Sequence, residues 1–142
     1  MGALSVDDIL ITPLKRIQVA GGDVLHAMKR TDPGFADFGE AYFSMVELGA
    51  LKAWKRHMRM TLNLVVPVGR VRFVFMDEAG RFRDVEIGEH HYARLTVPPR
   101  IWFGFRGLAA PWSLLLNVAD IVHDPDEIER KQPQEIEFDW EK

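Results

Sequence analysis

The clearest pattern in this chain runs from Trp54 to Leu64, where polar and apolar positions alternate. Lys55, His57, Arg59, Thr61 and Asn63 fall on one side of an extended strand, and Trp54, Arg56, Met58, Met60, Leu62 and Leu64 on the other. A period of two is the signature of a strand, because successive side chains point to opposite faces. The spacing therefore predicts one strand over residues 54–64 with a cationic face and a mostly apolar one. It turns at Pro67-Val68-Gly69 into a second strand from Arg70 to Asp77, with Val71, Phe73 and Phe75 on one face.

Other segments repeat the theme. Phe38–Val46, Phe82–Ile87, Tyr92–Val97, Ile101–Phe105 and Trp112–Val122 read as strands, with shorter ones at Leu14–Val19 and Val24–Lys29. Gly, Pro and Asp punctuate them, as in Thr31-Asp32-Pro33-Gly34 and Glu78-Ala79-Gly80. Val6–Leu14 is the one early segment with helical potential. Asp126–Lys131 reads as one or two helical turns, followed by an acidic extended tail over about 131–142. Many short strands with turn residues between them argue for an all-β sandwich or barrel. At 142 residues, 1–142 reads as a single domain large enough for its own core.

Composition narrows the chemistry. The chain has no cysteine, which removes disulfides and thiolate chemistry and fits a reducing, cytoplasmic setting. A net charge of −3 argues against nucleic-acid binding, and no apolar stretch reaches membrane-spanning length. The start, MGALSVDDIL, has acids where a secretion signal has bases, and lacks Ser or Thr at the sixth position for myristoylation. Charge is uneven: Lys52, Lys55, Arg56 and Arg59 form a basic cluster, while the region from Asp124 onward is mostly acidic. That asymmetry points to a local anion site.

A metal is not expected. His57 stands among cations that repel a second positive charge, nothing acidic lies between it and Asp77, and His90-His91 on a strand would point apart. Nor does any Gly-rich loop open a helix to cradle a nucleotide. The basic row is either a solvated strand face or an anion site. In the second case neighbouring cations favour the neutral forms of His57 and Lys55, so either could remove a proton near neutral pH. Tyr42 and Tyr92 are the only phenols, and strand packing is the plainer role for each.

The runs GALKAWKRHMRMTLNLVVPVGRVRFVF, LTVPPRIWFGFRGL and NVADIVHDPDEIER resemble the dTDP-4-dehydrorhamnose 3,5-epimerase family and its small cupin-like relatives, over roughly 38–140. The resemblance implies a cupin-like jelly roll with short helical turns near the C-terminus, a homodimer, no metal or cofactor, and a nucleotide-diphospho-sugar substrate. In the family a histidine removes a proton beside a ketone and a tyrosine returns one from the opposite side. Related ketoisomerases use a His-x-His pair on the same strand. Carried over, Lys52 becomes a phosphate contact, Lys55 takes the base position, and His57 matches the second histidine of the pair. The tyrosine position falls near Leu116 or Asn117, so the acid is absent there. Arg100 and Phe103 stand where the family often has Gly and then His.

The implied activity is epimerisation or keto-isomerisation of a dTDP-4-keto-6-deoxyhexose. His57 and Lys55 are the candidate catalytic residues. Lys52, Arg56, Arg59, Asn63, Trp54, Trp102 and Asn117 are the candidate substrate contacts. The alternative is a sugar-nucleotide-binding cupin that has lost the reaction.

Overall fold

The computed structural model describes residues 4–142. Met1–Ala3, on which the readings about a leader and a myristoyl site partly rest, lie outside them. Twelve strands follow in chain order: β1 Leu10–Pro13, β2 Arg16–Ile17, β3 Val24–Leu25, β4 Glu40–Glu47, β5 Leu51–His57 and β6 Leu62–Val68; then β7 Arg70–Met76, β8 Phe82–Gly88, β9 Ala93–Val97, β10 Trp102–Gly107, β11 Trp112–Ala119 and β12 Ile128–Arg130. They form two five-stranded antiparallel sheets, β1-β9-β6-β11-β4 and β12-β5-β10-β7-β8, with β2 and β3 as a small separate pair. The all-β architecture expected from the strand spacing, and the jelly roll that the resemblance implies, are what the chain adopts. Among the described residues the helical structure consists of three 3₁₀ turns, and no helix is long and apolar enough to cross a membrane.

The core fills the space between the sheets. Leu62, Leu64 and Val66 of one sheet face Val71, Phe73 and Phe75 of the other, all at most 2% exposed. Burying such side chains stabilises the fold by roughly 1.5–3 kcal/mol each. A single residue, Gly69, carries the chain from β6 to β7 and so from one sheet to the other. Its φ is +86°, and a Cβ there would stand 2.2 Å from Ser113 Oγ, so the corner requires glycine. The Ser113 hydroxyl accepts from the Arg70 N–H and donates to the Arg70 carbonyl, fixing the corner.

Three expectations need correction. The predicted strand over 54–64 is two strands in different sheets: β5 ends at His57, residues 58–61 cross over, and β6 begins at Leu62. No glycine or proline marks the break, so the alternation runs through it unchanged. Val6–Leu14 is a 3₁₀ turn at Val6–Asp8, capped by Ser5, followed by strand β1. Asp126–Lys131 is a 3₁₀ turn at Pro125–Glu127 followed by β12, which pairs with β5.

The acidic tail is not a free extension. It folds across the outer face of the β5–β10–β7 sheet, where Phe138 and Trp140 pack on Trp54 and Phe82. The Arg72 guanidinium donates to the Trp140 carbonyl and stacks near both tail rings.

Candidate active site

A cavity of about 530 Å³ lies between the sheets, within the size range of small-molecule sites. Phe103 and Phe105 of β10 and Leu62, Leu64 and Leu115 of the opposite sheet give it apolar walls. Four cations join them: Lys52 and Lys55 from β5, and Arg130 and Lys131 from the C-terminal segment; Glu135 is the one carboxylate there.

Lys52 and Lys55 are three residues apart, and strict alternation would put them on opposite faces. A bulge brings them together. Phe105 pairs with Lys52, Gly104 with Ala53, and Phe103 with Lys55, leaving Trp54 as an extra residue on β5. Gly104 is required at this point, because a Cβ would lie 2.6 Å from that of Ala53. The Trp54 backbone pairs on its other side with Lys131, and its indole N–H donates to the Pro133 carbonyl. Unbroken alternation would leave Lys52 off the cationic face, and the bulge returns it.

Lys55 presents its ammonium 5.9 Å from the centre of the Phe103 ring. Burial lowers its pKa, and Arg130 and Lys52 lower it further against the opposing pull of Glu127. Lys52, Lys55 and Arg130 are in no ion pair among the described residues.

His57, two residues on, is 5% exposed and stacks on the same ring, Phe103, at 6.3 Å between ring centres. It sits outside the cavity wall itself. Its Nδ1 is 2.5 Å from Glu127 Oε2, and its Nε2 is buried without a partner. Glu127 Oε1 accepts from the backbone N–H groups of Arg59 and Met60, at 3.0 Å each. Burial raises the Glu127 pKa, but the bonds from His57, Arg59 and Met60 outweigh it and hold the carboxylate ionised. Burial also depresses the His57 pKa, more than the Glu127 contact raises it. A neutral imidazole that donates from Nδ1 to a carboxylate leaves a bare lone pair on Nε2, the form a general base needs.

At another part of the cavity, Tyr42 on β4 stands directly across from Asn117 on β11. Asn117 donates from Nδ2 to the Tyr42 hydroxyl at 2.8 Å, and its Oδ1 is buried without a partner. The phenol missing from the Asn117 position is thus present on the adjacent strand.

The remaining candidates lie elsewhere. Arg56 points to the outer face, paired with Glu129 and lying 4.7 Å from the Trp102 ring centre. Trp102 belongs to that outer cluster with Trp54, Val74 and Ile136. Arg59 is exposed and paired with Asp124. Asn63 faces away from the cavity, where it donates to the Gly34 carbonyl and accepts from Thr96. The crossover at 58–61 resets the alternation, which removes Asn63 from the face of Lys55. Of the sequence candidates, Lys52, Lys55 and Asn117 line the cavity, with His57 beside them; Trp54 borders it, but its indole packs in the outer cluster. Glu127 and Tyr42 are the additions. Glu127 lies in the HDPDEIER run, but its partner is 70 residues away, and nothing local signals the pairing.

A jelly roll with a cationic cavity between its sheets and an imidazole–carboxylate pair beside it defines a cupin-type protein. No protein-family model matches the chain. A crystal structure of a dTDP sugar isomerase from Desulfovibrio desulfuricans G20 superimposes with a TM-score of 0.90 at 38% identity, covering 95% of this chain and 92% of that one. A probable low-salt glycan biosynthesis epimerase of Haloferax volcanii is 31% identical over 97 residues, 61% of this chain. The chain spans 62% of that relative's length. A mutant of the 3,4-ketoisomerase QdtA from Thermoanaerobacterium thermosaccharolyticum, in complex with TDP-4-keto-6-deoxyglucose, shares the fold at a TM-score of 0.75 and 17% identity over 87% of this chain and 88% of that one. The chain belongs to the cupin-type family of nucleotide-sugar epimerases and isomerases that resemble dTDP-4-dehydrorhamnose 3,5-epimerase.

Proposed function

We propose that this protein is an epimerase or ketoisomerase acting on a nucleotide-diphospho-4-keto-6-deoxyhexose. The observation that carries this reading is the joint placement of Lys52 and Lys55 in one cavity, beside a His57–Glu127 pair with a free Nε2. Lys52 and Arg130 are the cations available to a diphosphate; Arg56 and Arg59 are engaged with carboxylates outside the cavity, and the Lys131 ammonium lies 5.0 Å from the centre of the outer Trp102 ring. His57 and Lys55 form the proton-removing end, with Glu127 holding the imidazole in its basic tautomer. Tyr42 supplies the proton donor for an inversion, in place of a tyrosine at Asn117. The apolar walls strengthen the electrostatic interactions made inside.

A homodimer is part of the proposal. It is supported by the outer face of the edge strand β4, where Phe43 and Met45 are 64% and 53% exposed beside an unpaired strand edge. A cytoplasmic location is kept with it, on the absence of cysteine.

Incubation with TDP-4-keto-6-deoxyglucose, followed by NMR of the product sugar, tests the reading. Inversion beside the ketone, or migration of the ketone to the neighbouring carbon, is expected. A thermal shift with TDP but an unchanged sugar would instead mark a binding protein without the reaction.

A further inference from the structure

Lysine at the wall of a keto-sugar cavity has a chemical option that histidine lacks. Lys55 lines the cavity, is partly buried, carries no carboxylate partner, and has its Nζ against the Phe103 ring. Two further cations, Lys52 and Arg130, line the same cavity. Desolvation together with neighbouring positive charge is the setting in which a lysine becomes a nucleophilic amine toward carbonyls. His57, by contrast, stays outside the wall with its lone pair unengaged.

We propose that Lys55 forms a transient imine with the ketone carbon of the sugar, so that this chain works by covalent catalysis. The inference rests on the proposed keto-sugar substrate. The neutral Lys55 amine attacks the carbonyl carbon. One proton from the attacking nitrogen and one from water pass to the carbonyl oxygen, which leaves as water and gives a protonated C=N bond. That cation acidifies the neighbouring C–H. The base, for which His57 Nε2 is available, takes the proton while the electron pair moves through carbon to nitrogen. Reprotonation, with or without inversion, regenerates the imine. Water then hydrolyses it, returning the ketone and the free amine. Nothing is oxidised or reduced. The lowered pKa of Lys55 supports the neutral amine that the first step needs.

The test is reductive trapping. The full chain is incubated with TDP-4-keto-6-deoxyglucose in deuterated buffer, treated with cyanoborohydride, and analysed by intact mass and peptide mapping. Part of the same sample is read for deuterium in the sugar. The expected result is an adduct of the ketone's mass less one oxygen, located on Lys55, and absent from Lys55→Arg and from samples without reductant. Lys55→Arg, which keeps the charge, is also expected to lose at least about 100-fold in the exchange rate. Exchange without an adduct, exchange at the wild-type rate in Lys55→Arg, or an adduct spread over Lys52 and Lys131 would overturn the imine and leave the proposed function standing. Neither exchange nor adduct would overturn both.

Discussion

Glu127 accepts a hydrogen bond from Nδ1 of His57 at 2.5 Å, and Nε2 of the same ring is buried with no partner. The carboxylate is itself fixed by the backbone N–H groups of Arg59 and Met60, so the imidazole has one orientation and one tautomer. Glu127 acts through His57 and is a positioning residue. Glu127→Gln keeps an acceptor for the two backbone N–H groups but can turn an amide N–H toward Nδ1. That would move the ring proton to Nε2 and remove the base. A loss of about 100- to 10,000-fold in kcat is expected with the fold retained, by analogy with other imidazole–carboxylate pairs. The acid limb of the pH–rate profile should shift as well, which a purely structural role would not produce. Both are read from steady-state kinetics alongside circular dichroism.

The same pair contributes to the acid stability of the fold. Burial holds the His57 pKa below its usual 6.5, so the folded chain binds that proton less readily than the unfolded chain. The stability linked to it is complete above 6.5 and is lost as pH falls through the folded value. Glu127 is held below its usual 4.5, which adds a second loss at lower pH. Tm measured from pH 8 downward should stay level to about 6.5, then fall in two stages. A level Tm down to pH 4 would contradict the assignment.

Tyr42 should matter for returning a proton and not for removing one. Tyr42→Phe deletes the hydroxyl that accepts from Asn117 and lies at the cavity. Formation of an inverted sugar should drop by about 100-fold or more. Loss of the proton beside the ketone to solvent should continue near the wild-type rate. Parallel product and exchange assays separate the two; equal loss in both would remove Tyr42 from the donor role.

Arg100 is the non-glycine residue among those described with a positive φ, +71°, and it occupies a position where the resembled family often has glycine. Its backbone N–H donates to the His57 carbonyl, and its side chain is exposed. The left-handed conformation costs an L-residue about 1–2 kcal/mol, partly offset by the greater freedom of glycine in the unfolded chain. Arg100→Gly should therefore stabilise the fold by up to about 1 kcal/mol in urea denaturation, with the bond to His57 kept.

Legibility in the sequence followed the physics of alternation. Val71, Phe73 and Phe75 face the core as their spacing predicts, because β7 is regular from end to end. Residues 54–64 depart from simple alternation for the opposite reason. A bulge at Trp54 and a crossover at 58–61 each shift the parity, and neither carries a glycine or proline in the bent strand. The first shift brings Lys52 into the cavity and the second takes Asn63 out. Glu127 and Tyr42 depend on partners 70 and 75 residues distant, which no local pattern specifies. Tyr42 reaches the site only because β4 pairs with β11 in the register that sets it opposite Asn117.

Proton exchange at the sugar tests the proposed reaction most directly. Wild-type protein and His57→Asn are incubated with TDP-4-keto-6-deoxyglucose in deuterated water, and the sugar is followed by NMR. Deuterium should appear on carbon next to the ketone with wild type and at a rate at least about 100-fold lower with His57→Asn. Incorporation at equal rates in both would contradict the role given to the His57–Glu127 pair, and none with wild type would contradict the proposed reaction itself.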